Sequence, residues 1–193
     1  MGVDDKAMSD TLAGKLLVAM PGIGDPRFSR SVIMMCSHDD QHAMGVVINK
    51  PKQEVTLSEV LGHLGLQAGD NVGARAVMDG GPVRPDRGYV LHSADYAAGE
   101  GTQNVAPGIR LTATREVLEA VAKTDAPKDF VLALGCSGWG AGQLENELRE
   151  NAWLVVEPDN AIVFDADHKQ KWERAIKTLG FDPSQLSSAQ GSA

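Results

Sequence analysis

Residues 135–145 read GCSGWGAGQLE, an apolar strand running through glycines into a helix, and they are the first place in this chain to look for chemistry. A glycine turn at that junction would leave backbone N–H groups beside the positive end of a helix, a setting suited to phosphate or carboxylate. Ser137, Gly138, Trp139, Gly140 and Gln143 are therefore candidate ligand-binding residues. The segment is not a Walker loop, because it lacks the closing Gly-Lys-Ser/Thr, and Gly138, Gly140 and Gly142 do not have dinucleotide spacing. Ser137 fails as a hydrolase nucleophile, since Trp139 stands where the G-x-S-x-G elbow needs glycine. The alternative role of these glycines is packing, with the helix lying close to the sheet and Trp139 filling the gap.

His38-Asp39-Asp40-Gln41-His42 brings two imidazoles and two carboxylates together. Their spacing matches no zinc signature, so no metal or cofactor is expected; Asp39 and Asp40 shape a turn that His38 caps. Asp25, Arg27, His38, Asn49 and Arg84 fall at strand ends and turns. They form a cleft if the loops at one end of the sheet cluster, and serve ordinary loop hydrogen bonding if they do not. Two readings stay open: an enzyme with its site between the Asp25/Arg27 loop, the His38 turn and the Gly138 loop, and a protein without chemistry of its own. Cys136 is either activated by the helix end or a small buried hydrophobe, and no residue is assigned as catalytic.

The elements that must position these residues start with two apolar runs, residues 31–36 (SVIMMC) and 43–49 (AMGVVIN). The gap between them fits a hairpin and is too short for a crossover helix, so they pair antiparallel. Their nearly continuous apolarity implies that both faces are covered. Before them, residues 12–20 are a strand, and Asp25-Pro26 opens a helical turn with Phe28 inward. After them Pro51 stops the strand, and Thr56 to Glu59 has capping-box spacing for a helix carrying Leu57, Val60, Leu61 and Leu64. Residues 74–78, 88–93 and 109–112 are short strands, and Val117, Leu118 and Val121 stripe a helix beginning at Thr114. Residues 129–136 and 153–157 are strands, and Trp172, Ala175, Ile176 and Leu179 stripe the last helix. Hairpin spacings without regular strand–helix alternation predict one α+β domain over residues 1–193, with residues 1–10 and 184–193 as flexible tails.

Composition narrows the partners. A net charge of -8 repels nucleic acid unless the cations gather on one face, and they are spread along the chain. The helix at residues 56–64 has no second helix within a turn's length, so direct DNA reading is not expected. No apolar run spans a bilayer, and the charged opening MGVDDKAMSD is no export signal, which predicts a cytoplasmic protein that avoids membranes. Cys36 and Cys136 are expected as reduced core residues.

Several short pieces of this chain taken together carry a resemblance: AMP at 19–21, DPRF at 25–28, SV at 31–32, HD at 38–39, MGVVINKP at 44–51, GGPV at 80–83, RGYVLH at 87–92 and GWGAGQLE at 138–145. With these pieces the chain resembles the YqgE/AlgH family of bacterial proteins over nearly its whole length. The resemblance implies a mainly antiparallel, twisted and bifurcated sheet curling into a partial barrel with helices outside. It also implies a bacterial cytoplasmic protein of poorly established role; the motif match together with the failure of each catalytic pattern leads to a regulatory or interaction protein acting through a protein partner or a small anionic ligand. The family's label of transcriptional regulator is a genetic association, and it implies no catalytic or DNA-reading residues. The chain departs from the family pattern at His42, where glycine is usual, at Cys136, where an aromatic is common, and in its closing AQGSA.

Overall fold

The computed structural model describes residues 11–69, 72–123 and 127–186. The expected leading tail and residues 187–193 of the closing one lie outside them. Strands β1 (Leu16–Ala19), β2 (Val32–His38) and β3 (His42–Val47) are antiparallel neighbours. Ile33 lies opposite Val47 and Met35 opposite Gly45, and then a bulge at Cys36 shifts the register so that Ser37 faces Met44. The hairpin turn is only Asp39 to Gln41, and the Asp39 carboxylate accepts the N–H groups of Gln41 and His42 at 2.8 and 2.9 Å. Val32, Met34 and Cys36 enter one apolar cluster, and Ile33 and Met35 enter another on the opposite face. Burial on both faces is why these runs show no polar alternation.

The remaining strands are β4 (Pro51–Thr56), β5 (Ala76–Asp79), β6 (Val83–His92), β7 (Thr102–Ala106), β8 (Ile109–Thr112), β9 (Phe130–Gly140) and β10 (Trp153–Val156). They continue the sheet in the order β10-β1-β2-β3-β9-β6-β8-β7, with β5 beside β9 and β4 beside β5. β9 is the branch point. One edge pairs antiparallel with β6 from Phe130 to Cys136; the other runs parallel to β5 at Ala133 and Leu134, then antiparallel to β3 from Ser137 to Gly140. Gly135, at φ +79°, sits where the partner changes. The fold is α+β, a bifurcated, mainly antiparallel sheet curled into a half-barrel with helices packed against it.

Five helices cover the sheet among the described residues: α1 (Leu57–His63), α2 (Arg115–Lys123), α3 (Gln143–Arg149), α4 (Asn160–Val163) and α5 (Lys171–Lys177). The capping box on α1 is complete, with Glu59 accepting from the Thr56 N–H at 2.7 Å and Thr56 Oγ1 accepting from the Glu59 N–H. α1 and α2 bury Leu57, Leu61, Val117, Leu118 and Val121 against Val77, Val90 and Leu132. α3 places Leu144 on one face of β1 to β3, and α5 places Trp172, Ala175 and Ile176 on the other.

Several sequence expectations change. The first strand is only Leu16–Ala19, and Pro51 opens β4 instead of closing β3, a position where a strand tolerates the missing N–H. Leu179 lies 40% exposed, outside the α5 stripe. Phe28 is half-buried, and its turn is a 3₁₀ turn. β4 and β7 are mostly polar and lack any apolar period, so only their strand partners reveal them. The closing tail is held as far as Leu186: Asp182 caps a 3₁₀ turn at Pro183–Gln185, and Leu186 packs on the barrel cluster.

Candidate functional site

Residues 135–140 are strand and not a glycine turn. Gly138 lies opposite Met44, Trp139 opposite Ala43 and Gly140 opposite His42, so this backbone is part of the sheet ladder and not an open anion cradle. The packing role expected of the glycines changes as well. A Cβ on Gly138 would meet Val83 at an ordinary 3.7 Å, and one on Gly140 or Gly142 would meet nothing within 4 Å. Gly142, at φ +72°, instead turns the chain into α3. Trp139 does fill the gap, buried with Trp153 and Leu144.

The side chains that converge here meet on α3. His38 Nδ1 accepts the Leu12 N–H at 2.9 Å, which leaves the ring proton on Nε2, 2.6 Å from the Glu145 carboxylate. The Glu145 carboxyl is held below its ordinary range by its own backbone N–H and then by His38. Glu147 Oε2 accepts both indole N–H groups, Trp139 at 2.9 Å and Trp153 at 2.8 Å, while Gln143 donates to Oε1 at 3.2 Å. Sequence reasoning missed both glutamates. The available signal was that two tryptophans in apolar segments need an acceptor when buried. Glu147→Leu is expected to orphan both indoles and cost about 2–4 kcal/mol, with Glu147→Gln losing less. Urea unfolding followed by tryptophan fluorescence checks this, and equal midpoints for wild type and Glu147→Leu would refute it.

Of the other predicted residues, Asp25, Arg27 and Ser137 are satisfied locally. Asp25 accepts the Arg27 guanidinium at 2.7 to 3.2 Å and the Arg27 N–H at 3.0 Å, contacts that hold its carboxyl below the usual range. Ser137 is buried, and its hydroxyl donates to the Gly80 carbonyl at 3.3 Å. Arg84, at φ +47°, is exposed at the start of β6. Phe28 stands edge-on to Trp153 at 5.7 Å and brings the Asp25 turn beside the α3 cluster. Cys36 and Cys136 are free and buried, and burial pushes the Cys36 thiol up to about 12.

Asn49 points to a place the sequence did not single out. Its side chain accepts the Val32 N–H at 2.9 Å and donates to the Arg30 carbonyl at 2.8 Å. That clip holds Arg30 at φ +56°, a left-handed conformation costing a non-glycine residue about 1–2 kcal/mol. The Arg30 guanidinium lies 4.5 Å over Trp172, whose indole donates to the Ala19 carbonyl at 2.8 Å. Arg30 lines a cavity of about 510 Å³ with Pro21, Ser29, Trp172, Lys177 and Ser184, and Glu173 and Asp182 supply its carboxylates. Lys50 donates to the Ser29 carbonyl beside it; burial, and then the like charge of Arg30, hold its ammonium below the ordinary value.

Three comparisons place the chain among known proteins. A family model described as DUF179, AlgH-like, matches residues 16–184. A UPF0301 protein of Ruegeria pomeroyi is 48% identical over 94% of this chain and 99% of its own length, and one of Caulobacter vibrioides is 46% identical over 94% of each. The solution structure of the AlgH protein from Pseudomonas aeruginosa superposes with a TM-score of 0.78 at 35% identity, covering 96% of this chain and 97% of that one. A crystal structure from Corynebacterium diphtheriae, at 20% identity and a TM-score of 0.67, shares the fold.

Proposed function

This chain belongs to the AlgH-like family of bacterial proteins, and from that premise we propose a regulatory protein of the cytoplasm that works by binding and not by catalysis. It acts through a protein partner or a small anionic ligand, without reading DNA itself. One observation carries this reading: the side chains best suited to chemistry are committed to holding the fold. His38 uses one ring nitrogen on Leu12 and the other on Glu145, Asp25 is engaged by Arg27, Asn49 clips two backbone groups, and Ser137 is buried against Gly80. A general base or nucleophile must reach substrate with a lone pair to spare.

The net charge of -8 supports the part of the reading that concerns DNA, because duplex phosphates would be repelled at long range. Fluorescence anisotropy with labelled duplexes, repeated over a salt series, tests it. The expected result is weak binding that disappears with salt and ignores sequence. Salt-resistant, sequence-selective binding would overturn it.

A further inference from the structure

We propose that the cavity at Arg30 is a binding site for a phosphate group, free or carried on a small molecule, with Arg30 as the anchoring donor and Lys177 as the second cation. The proposal rests on the non-catalytic reading above and names the ligand class of that protein. Arg30 meets α5 through the Trp172 ring at 4.5 Å and through Glu173 at 3.5 Å, and it does so from a left-handed conformation that glycine or asparagine would take at less cost. The conformation is nevertheless held in place by Asn49, and the guanidinium lies over the Trp172 ring, both residues lining the cavity. A stacked guanidinium keeps its N–H edge directed outward, the geometry that grips phosphate oxygens in pairs.

The cavity lining sets two cations, Arg30 and Lys177, against two carboxylates, Glu173 and Asp182. Burial first, and then the like charge of Arg30, disfavour the Lys50 ammonium, and an anion held at Arg30 relieves the second of these. Lys177 lines the same cavity. Of the two carboxylates there, Asp182 is occupied by the Ser184 N–H and hydroxyl at 2.9 and 2.6 Å. Glu173 reaches Arg30 only at 3.5 Å, with half its side chain exposed, so a dianion can take its place. A volume of about 510 Å³ admits a phosphorylated metabolite as well as the bare ion. Pieces distant in sequence supply the site: Pro21 after β1, the Ser29-Arg30 turn clipped by Asn49 after β3, and Trp172 and Lys177 from α5.

The test is calorimetric titration of the intact chain with inorganic phosphate, glucose 6-phosphate and glucose, with ionic strength held constant by chloride. Both phosphates are expected to bind with Kd on the order of 0.1–1 mM and glucose not at all. Tighter binding of glucose 6-phosphate than of phosphate would identify a phosphorylated small molecule; equal binding would identify the phosphate group alone. Arg30→Asn should weaken binding at least about tenfold without lowering the thermal midpoint, because asparagine accepts a left-handed φ. Lys177→Gln should weaken it several-fold, and it decides the matter should the Arg30 variant fail to fold. Absence of binding above the chloride background, or folded variants that bind like wild type, would overturn the site and leave the non-catalytic reading untouched. Release of phosphate from glucose 6-phosphate would do the reverse.

Discussion

Gly80→Ala is expected to remove about 3–5 kcal/mol of stability, or to prevent folding altogether. A Cβ at this position would stand 2.2 Å from the Gly135 carbonyl oxygen and 3.0 Å from the Ala133 Cβ. The obstacle is backbone, so no side chain can swing aside. Nor can Gly80 itself retreat. Its N–H donates to Leu134 at 2.9 Å, and its carbonyl accepts the Val47 N–H at 3.0 Å, tying it to β9 and to the end of β3 together. Moving it would open the sheet where it branches. Gly138→Ala and Gly140→Ala are the matched controls: both lie on β9, both have room for a methyl group, and both should change stability by less than about 1 kcal/mol. Urea midpoints for the three variants check the contrast, and a Gly80 variant as stable as the Gly138 variant would refute the crossing as the constraint.

The second large effect concerns Lys171, whose side chain is fully buried. Its ammonium donates to the carbonyls of Ile48 at 3.0 Å and Val163 at 2.9 Å. Burial nevertheless pushes its pKa from the ordinary 10.5 down to about 7; the nearby Asp165 carboxylate opposes that fall and Arg174 adds to it. The folded pKa lies below the unfolded one, so between these values the unfolded chain binds more protons than the folded one, and stability rises with pH. From about pH 7 to pH 9 the expected gain is about 2 kcal/mol, and below the folded pKa the contribution is flat. Lys171→Met should abolish that slope while orphaning two carbonyls. Denaturant midpoints of both proteins over this range provide the check. A wild type without a slope, or a variant that keeps it, would exclude a poorly solvated amine at this position. The window ends before Cys36, whose raised thiol pKa contributes the opposite trend above about pH 9.

Much of the architecture was legible in residue order because it follows from local rules. The Thr56 capping box, the apolar stripe of Val117, Leu118 and Val121, and the two-faced burial of β2 and β3 each need only a short window of sequence to be seen. Their family motifs pointed to the same curled sheet. The candidate site was less legible. The run of glycines before α3 has the composition of a turn, yet Gly138 and Gly140 are strand residues because β3 offers them ladder partners, Met44 and His42, from a distant part of the sequence. His38 and Asp25 were read as candidates from residue type, but whether a polar side chain is spare depends on its partner, and Glu145 and Arg27 take them up.

Local periodicity, capping and turn chemistry by themselves determined that this chain makes an antiparallel α+β body with a doubly buried hairpin at its centre. Only the tertiary structure decided which polar groups remain available. It stacked Arg30 on Trp172 from α5, sank Lys171 among carbonyls of β3's extension and α4, and crossed Gly80 against Gly135. The physical reason is range: periodicity is a property of neighbours along the chain, whereas desolvation, charge pairing and backbone clearance depend on atoms brought together from distant segments.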